Sequence, residues 1–253
     1  MTDPKTLFGI KLPRFDMSDI TGKLIVIEGT DGVGRSTQIK ALKEWLEVKG
    51  QAVTVTGMAR SPLIGKAISQ AKAGHSLNVY TYSLLYLADF ADRLEHEIIP
   101  ALKAGYVVLA DRYFYTAFVR GVVRGADKDW IRKSYGFALV PDAVFYMRVR
   151  IKELIPRVLN SENLEEGYWR VSNGEVMDYW ESGMDMKLGD DFYDSFVAYQ
   201  KKTIAEFDAL AKEYNFSIID ATKDFETVNT RLKESIEALL EESSPVTLKG
   251  TSE

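Results

Sequence analysis

One residue after the apolar run Leu24-Ile25-Val26-Ile27, the chain reads Gly29-Thr30-Asp31-Gly32-Val33-Gly34-Arg35-Ser36-Thr37. The loop satisfies the pattern G-x-x-x-x-G-K-[ST] at every fixed position but one, where Arg35 stands for lysine. The β-branched run before it suits a strand buried on both faces. After it, Ile39, Leu42 and Leu46, with Trp45 beside them, predict a helix over 36–49, and Gly50 supplies a stop. Strand, glycine loop and helix start together aim backbone N–H groups and the positive end of a helix dipole at an anion. A plain glycine-rich turn between strand and helix is the alternative.

Four further apolar runs, Ala52–Thr56, Tyr106–Ala110, Ala143–Val149 and Phe216–Ile219, are separated by helix-like sequence. Such alternation predicts an α/β fold, a mostly parallel five-stranded sheet with helices on both faces. In such a sheet ligands gather beyond the carboxyl ends of the strands, so the residues following each run are the candidates for chemistry. After the third run comes Asp111-Arg112-Tyr113. An aspartate there can hold a divalent cation or accept from a substrate, and an arginine can clamp phosphate oxygens; a strand-terminal salt bridge is the simpler possibility.

Composition narrows the classes. A chain of 253 residues, 46% hydrophobic, can bury a large core, either as one α/β domain or as two small ones. A formal net charge of -5 argues against a generally basic nucleic-acid binder. With no cysteine and only His75 and His96, disulfides and Cys/His zinc sites are excluded. No apolar run approaches about 18 residues, so a soluble, cytoplasmic protein without a membrane partner is expected. Residues 1–21 and 242–253 read as an extension and a tail outside a domain over 22–241.

Taken together, Leu24 to Gly32 with Ser36-Thr37-Gln38, then Ala91-Asp92-Arg93, Asp111-Arg112-Tyr113 and Pro141-Asp142, resemble the thymidylate kinase family of P-loop nucleoside monophosphate kinases. The resemblance covers about residues 22–240 and implies a P-loop NTPase fold with a lid segment. It implies ATP and Mg²⁺ as cofactors, with Gly29, Asp31, Gly32, Val33, Gly34, Arg35, Ser36 and Thr37 around the donor phosphates and Ser36 and Asp111 near the metal. It places Asp31 near the acceptor sugar, and Arg60, Arg93 and Arg112 on the acceptor phosphate. Phe90 and Tyr86 are shifted aromatic candidates for the acceptor base, because the family's stacking position holds Asp89; packing of these aromatics in the core is the simpler reading. Arg157 matches a lid arginine; with Arg35, Asp31, Arg112 and Asp111 it completes the implied catalytic set.

The reaction implied is direct γ-phosphoryl transfer from ATP to a nucleoside monophosphate, dTMP foremost, by a homodimer. Such chemistry needs alignment and charge neutralisation and no Cys or His nucleophile. Three departures keep other readings open. Guanidinium is planar and bulkier than an ammonium, so Arg35 raises the possibility of a regulator that binds nucleotide without turnover. Asp89, together with Arg120-Gly121 in place of a Tyr-Gln pair, allows a different nucleotide or nucleoside acceptor, or a polyphosphate donor. The expected lid over 152–195 contains an aromatic, acidic stretch over 167–190 with Trp169, Tyr179 and Trp180, and few cations besides Arg157, Arg170 and Lys187. Simpler readings remain for Arg60, as a loop surface charge, and for Arg93, as a solvated helix residue paired with Glu97. After the last run, Asp220-Ala221-Thr222 resembles the family's adenine-side loop.

Overall fold

A computed structural model describes Thr6, Ile10 and residues 17–73, 77–158, 164–165, 168–169 and 183–241. In chain order its elements are β1 (Lys23–Glu28), α1 (Arg35–Val48), β2 (Val53–Gly57), α2 (Gly65–Ala73), α3 (Val79–Arg93), a π-helical turn (Leu94–Ile98) and α4 (Ile99–Lys103). Next are β3 (Val107–Asp111), α5 (Phe114–Val123), α6 (Lys128–Ser134), β4 (Ala143–Arg148), α7 (Ile151–Val158), β5 (Leu164–Glu165) and β6 (Tyr168–Trp169). The chain closes with a 3₁₀ turn (Met184–Met186), α8 (Phe192–Glu213), β7 (Ser217–Asp220) and α9 (Phe225–Glu241).

β2, β3, β1, β4 and β7 form one sheet in that spatial order, with every pair parallel. All five apolar runs became strands. β1 has side chains in both cores because helices cover both faces. Leu24 and Val26 pack with residues of α3, α4, α5 and α8, while Ile25 and Ile27 pack with Ile39, Leu42 and Leu46 of α1 and Leu232 and Ile236 of α9. Alternate side chains of a strand point to opposite faces, so a strand with no polar alternation needs two cores. β5 and β6 form a separate antiparallel pair in the expected lid region.

Helix starts distinguish structural ends from the loop's end. α3, α6 and α8 begin on Asn78, Asp127 and Asp191, whose side chains accept from backbone N–H groups of the first turn. α1 begins on Gly34, which offers no side-chain cap, and its first turn carries no acid. Its leading N–H groups are therefore available to an external anion.

Within the segment expected to lie outside the core, Met17 is buried in the α3–α5 cluster and Thr6 pairs with Leu139 as an antiparallel bridge. The described part of the extension is thus laid against the domain. Arg170, Tyr179 and Trp180 lie outside the described residues.

Candidate active site

β1 lies between β3 and β4, so the loop 29–34 opens where the chain's connections diverge, at the carboxyl edge of the sheet. Two glycines shape it. Gly34 has φ +92°, and Gly32 has φ +75° with its Cα so close to α7 that a Cβ would meet Val158 at 2.4 Å. An L side chain at Gly32 would face both strained backbone and a clash. Val33 turns inward and is buried in the core under α1, whereas Gly32, Gly34, Ser36 and Thr37 are exposed on the rim.

Arg35 is the centre of the site. Its side chain is only 7% exposed. Nη1 donates to the carbonyl of Gly29 at 2.6 Å and also to that of Thr30, fastening the loop from within. Nε donates to Asp111 Oδ1 at 3.0 Å, and Nη2 stands 3.8 Å from Asp31 Oδ1. One edge of the guanidinium is thus committed to protein while Nη2 faces the acidic mouth of the loop. A lysine ammonium is a point donor without this planar fork, whereas the arginine clasps the loop carbonyls and Asp111 through separate nitrogens.

Asp111, at the end of β3, accepts on its second oxygen from Ser36 Oγ at 3.2 Å, and Arg60 Nη2 lies 3.9 Å from that oxygen. A hydroxyl and a carboxylate at this spacing are hard oxygen donors of the kind Mg²⁺ takes from protein when substrate phosphates and water supply the rest. Among the described residues no group of three or more His, Cys, Asp or Glu could hold a metal ion. Ser36 and Asp111, the two expected metal residues, therefore meet.

Asp31 gathers two more cations: it accepts from Arg112 Nη2 and, on its other oxygen, from Arg120 Nη2 at 3.1 Å. Arg112 has φ +68°, a backbone region costing roughly 1–2 kcal/mol for a residue with a Cβ. It is held there from both sides. Its own N–H donates to Ile27 O at 3.1 Å, and the next amide, of Tyr113, donates to Glu28 Oε1 at 2.9 Å. Glu28 also accepts from Thr116 Oγ1 at 2.6 Å and is wholly buried; burial pushes its carboxyl above the usual range, against the opposing pull of Thr116, Tyr113, Arg35 and Arg112.

The sequence that builds this site is similar to known proteins. The thymidylate kinase family model matches residues 27–169. A probable thymidylate kinase 2 of Saccharolobus solfataricus is 34% identical over 223 residues, which is 88% of this chain and 99% of the relative. A probable thymidylate kinase of Thermococcus kodakarensis is 31% identical across 86% of this chain and 98% of its own length. One from Pyrococcus horikoshii is 36% identical over a shorter stretch, 54% of this chain and 70% of the relative. The chain belongs to the thymidylate kinase family.

In this thymidylate kinase family member the remaining expected residues divide. Arg60 is 55% exposed at the site mouth near Asp111. Arg93 is neither solvated nor paired with Glu97: it is 1% exposed, with Nε donating to Asp89 Oδ2 at 2.9 Å and Nη1 to Thr56 Oγ1 at 3.1 Å. Asp89 in turn accepts from the amides of Ala59 and Ser61 at 3.1 and 2.9 Å, the residues on either side of Arg60. The buried pair therefore pins the loop that presents Arg60.

Phe90 differs from expectation. It is 2% exposed and enclosed by Tyr113, Phe114, Tyr135 and Phe137, with the Tyr113 ring edge-on at 5.0 Å, so no face is open for a base. Arg157 lies in the last turn of α7 and donates to Ala221 O at 2.8 Å, on the loop after β7. The structure thus ties it to the Asp220-Ala221-Thr222 loop. Two residues of the site, Glu28 and Arg120, were not among the candidates read from sequence. Thr116 and Arg120 are spaced i, i+4 on α5 and reach β1 and its loop, Thr116 at Glu28 and Arg120 at Asp31, a spacing that was legible.

Proposed function

We propose that this protein transfers the γ-phosphoryl group of ATP to dTMP, giving ADP and dTDP, and that Ser36 and Asp111 are the residues that would hold Mg²⁺. The observation that carries this reading is the convergence on one carboxylate, Asp111, of the loop arginine, the loop serine and an arginine from a different strand end. The similarity to probable thymidylate kinases supports turnover and dTMP as acceptor.

The N–H groups at the start of α1 and Nη2 of Arg35 bind the donor phosphates. Mg²⁺, when bound, supplies charge neutralisation across the transferring group. Arg60 and Arg112 draw the acceptor phosphate in line, since two polyanions approach only where fixed positive groups offset their repulsion. Asp31 orients Arg112 and Arg120 and meets the acceptor's sugar. The Ala221 carbonyl loop, braced by Arg157, lies on the donor-base side. Arg93 acts here as a positioning residue through Asp89. By its family resemblance the protein works as a cytoplasmic homodimer.

Diphosphate formation from ATP with dTMP, dUMP, UMP, CMP, AMP and GMP tests the proposal. The expected result is dTMP as the best acceptor by kcat/KM. Turnover with another acceptor but none with dTMP would overturn the specificity and leave the kinase reading standing. Silence with all six, with ATP still bound, would favour a nucleotide-binding regulator.

A further inference from the structure

Two arginines one turn apart on α5, Arg120 and Arg124, each hold an aspartate from a different part of the chain. Arg120 reaches Asp31 in the phosphate loop at 3.1 Å. Arg124 grips Asp185, in the 3₁₀ turn before α8, through two nitrogens at 2.8 and 3.1 Å, and also donates to the Tyr199 hydroxyl at 3.0 Å. Its side chain is 3% exposed, with the guanidinium 5.3 Å from the Tyr82 ring and 5.0 Å from that of Tyr199. The turn is itself sewn to α8. Ser195 Oγ donates to Gly183 O at 3.3 Å and accepts from the amide of Leu188 at 3.2 Å, and Gly183 lies so close to Tyr199 that a Cβ would meet the ring at 2.3 Å. Arg124 therefore fastens the turn and α8 together onto α5.

The face of α8 fixed in this way looks onto Asp31. Beside Asp31 and Arg120, a narrow cavity between the phosphate loop and α8 is lined by Thr30, Tyr199, Gln200 and Thr203. Gln200 and Thr203 are 1% and 5% exposed, yet Gln200 Oε1, Thr203 Oγ1 and Thr30 Oγ1 have no hydrogen-bond partner among the described residues. Leaving a buried polar atom unpaired costs about 1–3 kcal/mol, so three of them on one cavity point to a ligand that pairs with them. We infer that Arg124, held by Asp185, is a positioning residue for the acceptor nucleotide: it sets α8 so that this polar wall faces the acceptor beside Asp31. The planar fork suits that task, because two parallel contacts fix an orientation that a point charge leaves free. The inference rests on the reading of Asp31 as the acceptor's neighbour in a kinase.

The test is calorimetry of dTMP and, separately, of Mg-ATP on the native protein, Arg124→Met, Asp185→Asn and the double variant. Each single change should weaken dTMP binding by about tenfold while Mg-ATP binding stays within about twofold, and the double variant should be no weaker than either single one, since both break the same contact. Unchanged dTMP affinity in both single variants would overturn the inference. So would losses that add in the double variant, or a parallel fall in Mg-ATP affinity, which a merely structural role would produce. Should Arg124→Met not fold, Asp185→Asn, which keeps size and removes only charge, decides by the same two affinities. The two layers separate in the native protein: no dTMP binding would remove the kinase reading and this inference with it, whereas dTMP bound equally by native protein and variants would remove only the inference.

Discussion

Arg35 with Asp111 and Arg93 with Asp89 are the same chemical pair at nearly the same contact, 3.0 and 2.9 Å, yet they stand in opposite states. On the α3 side every strong partner is internal. Asp89 takes two amides and Arg93, the guanidinium reaches Thr56, and both side chains are 1% exposed. On the loop side the pair is joined by a rim serine, by Arg60 across open space and by Asp31, which is itself 28% exposed. A closed network holds shape; an open one has donors to spare for a ligand. Residue type alone does not separate the two, and the surroundings do.

Substitutions can break that contrast. The largest effect is expected from Asp89→Ala, which leaves Arg93 as an unpaired buried charge and frees the amides beside Arg60: a loss of about 3–5 kcal/mol in stability, read from the denaturant midpoint. If the midpoint barely moved, the pair would not be the internal pin described. Arg60→Ala should do the reverse, leaving stability within about 0.5 kcal/mol because the side chain is exposed. It should lower kcat/KM for the acceptor by about tenfold to hundredfold through a lost charge-assisted contact. A stability change without a kinetic one would reassign Arg60 to the scaffold. The smallest effect concerns Glu28. Its carboxyl is raised in the fold, so the native state holds a proton more firmly than the unfolded chain, and stability falls as pH rises from the unfolded value of about 4.3 through the raised one. The slope is bounded by about 1.4 kcal/mol per pH unit, and Glu28→Gln should flatten it in pH-dependent unfolding. An identical slope in both proteins would place the titration elsewhere.

Much of the architecture was legible because it rests on local pattern. The apolar runs became the sheet, and the glycine loop met its helix within a residue of the expected start. The expected meeting of Ser36 with Asp111 followed from strand order, since β1 and β3 pair with Ile27 opposite Asp111. What sequence obscured were partners chosen by tertiary contact. Arg93 has acids four residues away on both sides, Asp89 and Glu97, and only the approach of the β2–α2 loop decides for Asp89. Phe90 and Asp89 are neighbours in sequence but about 100° apart around a helix, so one enters the aromatic core while the other faces the loop. Arg157 depends on β7 lying beside β4, which puts Ala221 within its reach.

The open arginine–aspartate pair is proposed as the phosphoryl-transfer centre. Transfer of label from [γ-³²P]ATP to dTMP, followed in native protein and Arg35→Met alongside thermal unfolding of both, tests it most directly. Labelled dTDP is expected from the native protein, with a loss of about a hundredfold or more in the variant, comparable to removing one preorganised transition-state donor. Its unfolding midpoint should fall by less than about 8 °C, because the change costs under about 2 kcal/mol in a chain of this size. Retained transfer in Arg35→Met, or a loss that only tracks its unfolding, would contradict the claim.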